Sequence, residues 1–131
     1  MKGNSQLQPL NQVIYFDTKT QNVARFVSKL LEYGNFELID INSQEHFDKP
    51  GHLVTYTTGS GQIPVTTEYF MSRNNHLIHS ISSSGNRNWG NNFGIAADKI
   101  AEQYSIPVLL KFELSGLDGD LTSFIDMIAH T

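Results

Sequence analysis

The 131-residue chain contains no cysteine. That removes a disulfide scaffold, a thiolate nucleophile, a zinc–thiolate site and a cysteine-ligated iron–sulfur cluster, so any redox work must pass through something bound. Long apolar runs are missing as well. No stretch approaches the ~20 apolar residues of a membrane span. The opening from Met1 to Gln12 is polar, with Leu7 and Leu10 its only apolar residues after Met1, and lacks the roughly 7–15 consecutive apolar residues of a secretory signal. The expectation is a cytoplasmic protein, with residues 1–12 a flexible extension ahead of one domain over residues 13–131. Basic runs are absent too: 9 Lys and Arg stand against 13 Asp and Glu, a net charge of −4. Phosphate backbones are bound largely through cations, so nucleic acid is a poor partner. Neither G-x-x-x-x-G-K-[ST] nor G-x-G-x-x-G occurs, which excludes a Walker loop and a dinucleotide fingerprint.

What is present is the composition of a soluble globule, 39% hydrophobic and 17% charged, in a length that suits a single core. Apolar segments of two kinds alternate. Val13 to Phe16, Phe36 to Ile41, His52 to Thr58, Leu77 to Ser82 and Val108 to Phe112 read as strands. Between them, Val23, Phe26, Val27 and Leu30 fall at i, i+3, i+4 and i+7, one face of a helix that Gly34 can end. Pro64 suits a helix start. Phe93, Ala96, Ala97, Ile100, Ala101 and Tyr104 form a second clear face, and Leu121, Phe124, Ile125 and Ile128 a last one. Asp118 and Asp120 are placed to start that helix, where negative charge is favoured. Strands alternating with helices imply an α/β fold with parallel strands and right-handed crossovers. The strands are mostly continuous apolar runs, as expected when helices cover both faces. A doubly wound five-stranded parallel sheet, order 2-1-3-4-5, follows, with ligands at the carboxyl ends of the strands.

Three loops lie at that edge. Thr18-Lys19-Thr20-Gln21-Asn22-Val23 offers hydroxyls, an amide and the free N–H groups of a helix start, which suit a phosphate; equally, Asn22 or Thr20 serves simply as the helix cap. Thr57-Thr58-Gly59-Ser60-Gly61 allows close backbone approach to a ligand, or is an ordinary strand-to-helix turn. The third, Ser83 to Gly94, holds four Asn, three Gly and the only tryptophan, Trp89. An indole among such residues can stack on a flat ring or merely cover the loop.

The segment S-G-N-R-N-W-G-N-N-F-G, followed by I-A-A-D-K-I-A and I-P-V-L-L-K-F-E-L-S-G, closely resembles the NrdI family, the flavodoxin-like activators of class Ib ribonucleotide reductase. Val13 to Val27 and Val54 to Pro64 fit the same family, so the resemblance runs from Val13 to Gly116. It implies a flavodoxin-like fold that holds flavin mononucleotide (FMN) without a covalent bond. Thr18, Lys19, Thr20, Asn22 and Val23 match the phosphate positions. Thr57, Thr58, Gly59, Ser60 and Gly61 match the loop facing the ring, and Ser84, Gly85, Asn86, Trp89, Gly90 and Phe93 the loop closing on its other side. Reduced by a flavin reductase or other electron donor, the flavin would pass electrons to dioxygen. The resulting superoxide or peroxide-level oxidant would reach the dimanganese small subunit and support assembly of its tyrosyl radical cofactor. The protein itself need supply no acid or base. Many relatives carry glycine where Gln21 stands. The first two loops hold no acidic residue after Asp17 and the third none, so the fully reduced flavin is expected to be reached more easily than in a strongly acidic flavodoxin.

A general electron-transfer flavodoxin would share the same FMN site and differ in its partner. A phospho-receiver domain shares the fold, but strand 3 ends in Thr57-Thr58 rather than a phosphate-accepting Asp, and Lys111 reads as structural. His76 and His79 sit where their spacing does not converge on a metal. Arg87 suits a partner carboxylate and a local salt bridge equally.

Overall fold

In the computed structural model, the described residues are 12–59 and 61–130. The chain runs β1 (Val13–Phe16), α1 (Asn22–Leu30), β2 (Glu37–Asp40), β3 (Gly51–Tyr56), α2 (Val65–Asn74), β4 (Ile78–Gly85), α3 (Ile95–Tyr104), β5 (Val108–Glu113) and α4 (Asp118–Ile128). The strands form one five-stranded sheet in the order β2-β1-β3-β4-β5, every pairing parallel. This is the topology expected from the sequence.

Each face of the sheet carries its own apolar layer. On one, the predicted stripe of α1 (Val23, Phe26, Val27, Leu30) meets Leu121, Phe124 and Ile128 of α4 over Ile14, Val54 and Phe112. Phe26 stacks on Phe112 with ring centroids 4.0 Å apart and meets Phe124 edge-on. On the other, Phe70 and Met71 of α2 and Ala97 and Ile100 of α3 cover Tyr15, Leu53 and Ile81. No helix forms in the crossover between β2 and β3. Phe47 fills its place, edge-on to both Tyr15 and Phe70, and the buried Tyr15 hydroxyl donates to the Lys49 carbonyl at 2.6 Å.

Several boundaries differ from the sequence reading, among them the end of β3, at Tyr56 rather than Thr58. Strand β4 extends through Ser83, Ser84 and Gly85, which the sequence places in a loop. These small residues pair with Lys111, Phe112 and Glu113 on one side, and Ser83 and Ser84 with Thr55 and Tyr56 on the other; backbone pairing on both sides outweighs their weak strand preference. Helix α3 begins at Ile95, because Gly94 before it takes φ 62°, so Phe93 lies outside the helix. Gln12, assigned to the flexible extension, is hydrogen-bonded: its carbonyl accepts from Glu37 N at 2.9 Å. Residues 1–11 lie outside the described residues.

Gln12 also orients a buried histidine. Its side-chain amide donates to the Ile128 carbonyl, which turns Oε1 toward His52 Nε2 at 2.8 Å. Nε2 therefore carries the proton and Nδ1 accepts from Ser80 Oγ at 2.7 Å. Burial first, and the neighbouring His79 second, lower the His52 pKa to about 4. From the ordinary value near 6.5 down to about 4, the unfolded chain binds a proton that the folded chain refuses. Stability is therefore full above that window and is lost as the pH falls through it. Urea midpoints at pH 7 and 4.5 are expected to show a loss of up to ~3 kcal/mol from this group, and a His52→Gln variant to lose much less on the same pH step.

Candidate functional site

A cleft of about 600 Å³ opens at the carboxyl ends of β1, β3, β4 and β5, beside the point where the chain reverses its direction across the sheet. That size lies within the range of small-molecule and cofactor sites. One wall is the loop between β1 and α1, where Thr18, Lys19, Thr20, Asn22 and Val23 line the space. Neither Thr20 nor Asn22 is the cap. Gln21 is the N-cap residue, at φ 74°, with no side-chain cap hydrogen bond. Thr18 Oγ1 instead accepts from Ala24 N at 3.3 Å, and the helical ladder opens with Arg25 N on the Gln21 carbonyl. The first-turn N–H groups of a helix have no intrahelical acceptor and carry partial positive charge, so Asn22 and Val23 bring an anion-favouring helix end to the cleft. Asn22 is held from across the site, its Oδ1 accepting from Ser115 Oγ at 3.0 Å.

The second wall follows β3. Thr57, Thr58 and Gly59 line it with Tyr56. Thr57 is buried and its hydroxyl is spent inside the protein, on Ser83 Oγ at 2.9 Å and Ala96 N at 3.3 Å. That ties β3 and β4 to the first turn of α3. The loop then folds on itself: Gly61 N donates to the Thr58 carbonyl, Gln62 N donates to Thr58 Oγ1, and Lys99 of α3 donates to the Gly61 carbonyl at 2.5 Å. Ser60 lies outside the described residues.

Ser84, Gly85 and Asn86 form the third part of the lining. Ser84 Oγ donates to the Leu114 carbonyl. A Cβ on Gly85 would meet the backbone nitrogen of Gly94 at 2.7 Å, so only glycine lets the 86–94 loop close back on the strand. Asn86 Oδ1 accepts from Asn88 N at 2.9 Å. Arg87 is engaged locally: its guanidinium lies 3.8 Å from Glu113 and 4.4 Å from the Phe93 ring centroid. Gly61, Gly90 and Phe93 do not line the cleft, and the side chain of Trp89 lies outside the described residues. Sequence reasoning missed the start of α2, where Pro64, Val65 and Thr66 line the cleft, and the turn after β5, where Leu114 does. Leu114 has φ 54°; the quoted stretch K-F-E-L-S-G was the one signal for it.

Residues 14–126 match the family described as NrdI flavodoxin-like. The chain belongs to this family. It is 48% identical to protein NrdI of Bacillus licheniformis over 111 residues, covering 85% of this chain and 82% of that relative. It is 38% identical over 113 residues to an SPbeta prophage-derived NrdI protein of Bacillus subtilis, covering 86% and 88%. Among solved structures, it is similar to a short-chain flavodoxin associated with a non-canonical PDU bacterial microcompartment, with a TM-score of 0.69, 17% identity and coverage of 92% and 95%. A Streptococcus pneumonia flavodoxin gives 0.68 and 18%, over 92% and 98%. Those two likenesses speak for the fold. NrdI membership implies a flavin cofactor and a link to ribonucleotide reductase. The residues present fit such a group: a helix start with no side-chain cap and flanking hydroxyls, lining a cleft of cofactor size. Among the described residues, no group of His, Cys, Asp and Glu is placed to hold a metal ion.

The geometry makes Gln21 and Gly85 opposite cases. A non-glycine residue in the left-handed region costs ~1–2 kcal/mol, partly offset because glycine loses ~0.5–1 kcal/mol more on ordering. Gln21→Gly is therefore expected to raise stability slightly, by at most about 1 kcal/mol in urea denaturation. Gly85→Ala is expected to lower it by about 2 kcal/mol or more, since the backbone of Gly94 must move.

Proposed function

We propose that this protein binds FMN in the cleft and, in the cytoplasm, acts as the activator of a class Ib ribonucleotide reductase. When bound and reduced by a flavin reductase or other donor, FMN would supply electrons to dioxygen. The superoxide or peroxide-level product would serve the dimanganese small subunit in assembling its tyrosyl radical cofactor. The observation that carries this reading is the open helix start of α1 facing a cofactor-sized cleft, in a chain of the NrdI family.

The chain's own residues bind, orient and enclose. The N–H groups of Asn22 and Val23, with the hydroxyls of Thr18 and Thr20 and the exposed Lys19, suit the phosphate dianion. Thr58, Gly59, Gly85 and Asn86 offer main-chain and small polar surface to the ring's edge. Ser60, Gly61, Trp89, Gly90 and Phe93 remain proposed ring-side residues on the strength of the family motif. No side chain is required as acid or base, which leaves the protein to set cofactor exposure, potential and docking. Val65 and Leu114, 84% and 51% exposed, stand at the cleft, where a partner would approach. Among the described residues no helix is long and apolar enough to cross a membrane.

The first test is uptake of FMN by the purified protein, read as a retained and shifted visible band after free flavin is removed. The second is formation of the tyrosyl radical in a class Ib small subunit given manganese, dioxygen and the reduced flavoprotein. A protein that takes up no FMN sinks the reading; one that takes it up but supports no radical is a general electron carrier. Asn22→Asp keeps the acceptor used by Ser115 but sets a negative charge at the helix start. Its affinity for FMN is expected to fall by at least about tenfold, the equivalent of ~1.4 kcal/mol, while its affinity for riboflavin, which has no phosphate, changes little.

A further inference from the structure

Asp17 follows the last residue of β1 and directly precedes the first loop of the cleft, yet it is only 1% exposed. A carboxylate removed from water is costly unless its oxygens are satisfied. Here Oδ1 accepts from Asn42 Nδ2 at 2.9 Å, and Oδ2 accepts from the hydroxyls of Thr66 at 2.5 Å and Thr67 at 2.7 Å. The Thr67 oxygen accepts in turn from Thr55 at 2.7 Å. The Asn42 amide and the Thr66 and Thr67 hydroxyls face the two carboxylate oxygens, with Thr55 behind Thr67, and a carboxylate can only accept from them. Among the described residues the carboxylate makes no ion pair, so neutral donors hold the charge without cancelling it. Its three partners come from two separate places, the turn after β2 and the first turn of α2.

The charge is also close to the site. Thr66, bonded to it directly, lines the cleft, and so does Tyr56. The Tyr56 phenol is held above its usual pKa, by burial first and by the Asp17 charge second, with a hydrogen bond to Thr66 acting the other way. A fixed negative charge at such range, in a medium less polarisable than water, opposes arrival of an electron in whatever fills the cleft.

We propose that Asp17 is a positioning residue that sets the reduction potential of the bound flavin: it ties the stem of the first loop to the wall made by α2 and keeps an uncancelled negative charge one hydroxyl behind that wall. This rests on the FMN reading above. It also revises the expectation of an easily reduced flavin, which counted only the loops beyond Asp17.

The experiment compares FMN-loaded wild type with two variants by equilibration against reference dyes. Asp17→Asn removes the charge and keeps the shape. Asp17→Asn combined with Asn42→Asp exchanges amide and carboxylate across their own hydrogen bond, moving the charge to an exposed position. Both are expected to retain FMN and to show a roughly tenfold higher ratio of reduced to oxidised flavin at fixed potential, ~59 mV for one electron. A variant that holds FMN with an unchanged ratio overturns the proposal. If Asp17→Asn alone fails to fold, the exchange decides; unfolding of both makes Asp17 a stabilising residue only and also overturns it. Wild-type protein that takes up no FMN overturns the parent reading instead, and that result is known before any potential is measured.

Discussion

Strand β1 is hydrogen-bonded along both edges, to β2 on one side and β3 on the other. Because both pairings are parallel, the chain must leave the carboxyl end of β1 over one face, return, and then cross to the far side of the strand it began with. The connections on the two sides of β1 therefore part company at its carboxyl end, and no element of the sheet itself fills the gap between them. The cleft is this gap. The first loop, the start of α2 and the ends of β3 and β4 reach it because the pairing order leaves them nowhere else to go.

Around the gap the interior changes character. The middle of the sheet is packed with Phe, Ile, Leu and Val, but toward the carboxyl ends hydroxyl side chains replace them: Thr55, Thr57, Thr67, Ser83 and Ser84. Each of these hydroxyls is hydrogen-bonded within the protein. They hold strand ends to helix starts where apolar packing is too thin to do so, and give the floor of the cleft a rigidity that loops alone lack.

Much of this was legible in the chain. The α1 stripe has the 3.6-residue period, and Val23, Phe26, Val27 and Leu30 are the residues it buries. The strands announced themselves as short apolar runs because helices cover both faces. The signal failed where hydroxyls take over. Ser83 and Ser84 look like loop residues, and no hydropathy pattern shows that they are paired on both sides. Asp17 reads as the polar end of a strand, since its donors lie 25, 49 and 50 positions away. The first loop was picked out for its chemistry, and of the two readings left open for it the cap by Asn22 or Thr20 is the one that fails: the left-handed turn at Gln21 leaves Asn22 inside the helix rather than before it. Ring-side residues rested on the family motif, and of these Gly85 has a plain steric reason.

The crossover from β2 to β3 has a loop where the other β-to-β connections have a helix, and β2 is an edge strand paired on one side only. With no helix over it, this margin is a place where local opening, readable by amide hydrogen exchange, is expected to begin. It is not isolated from the cleft, because Asn42 in that crossover is one of the three donors to Asp17. Each opening strips the carboxylate of that donor and lets water reach it. Fluctuation at the far edge of the sheet thus varies the dielectric around the buried carboxylate beside the cleft.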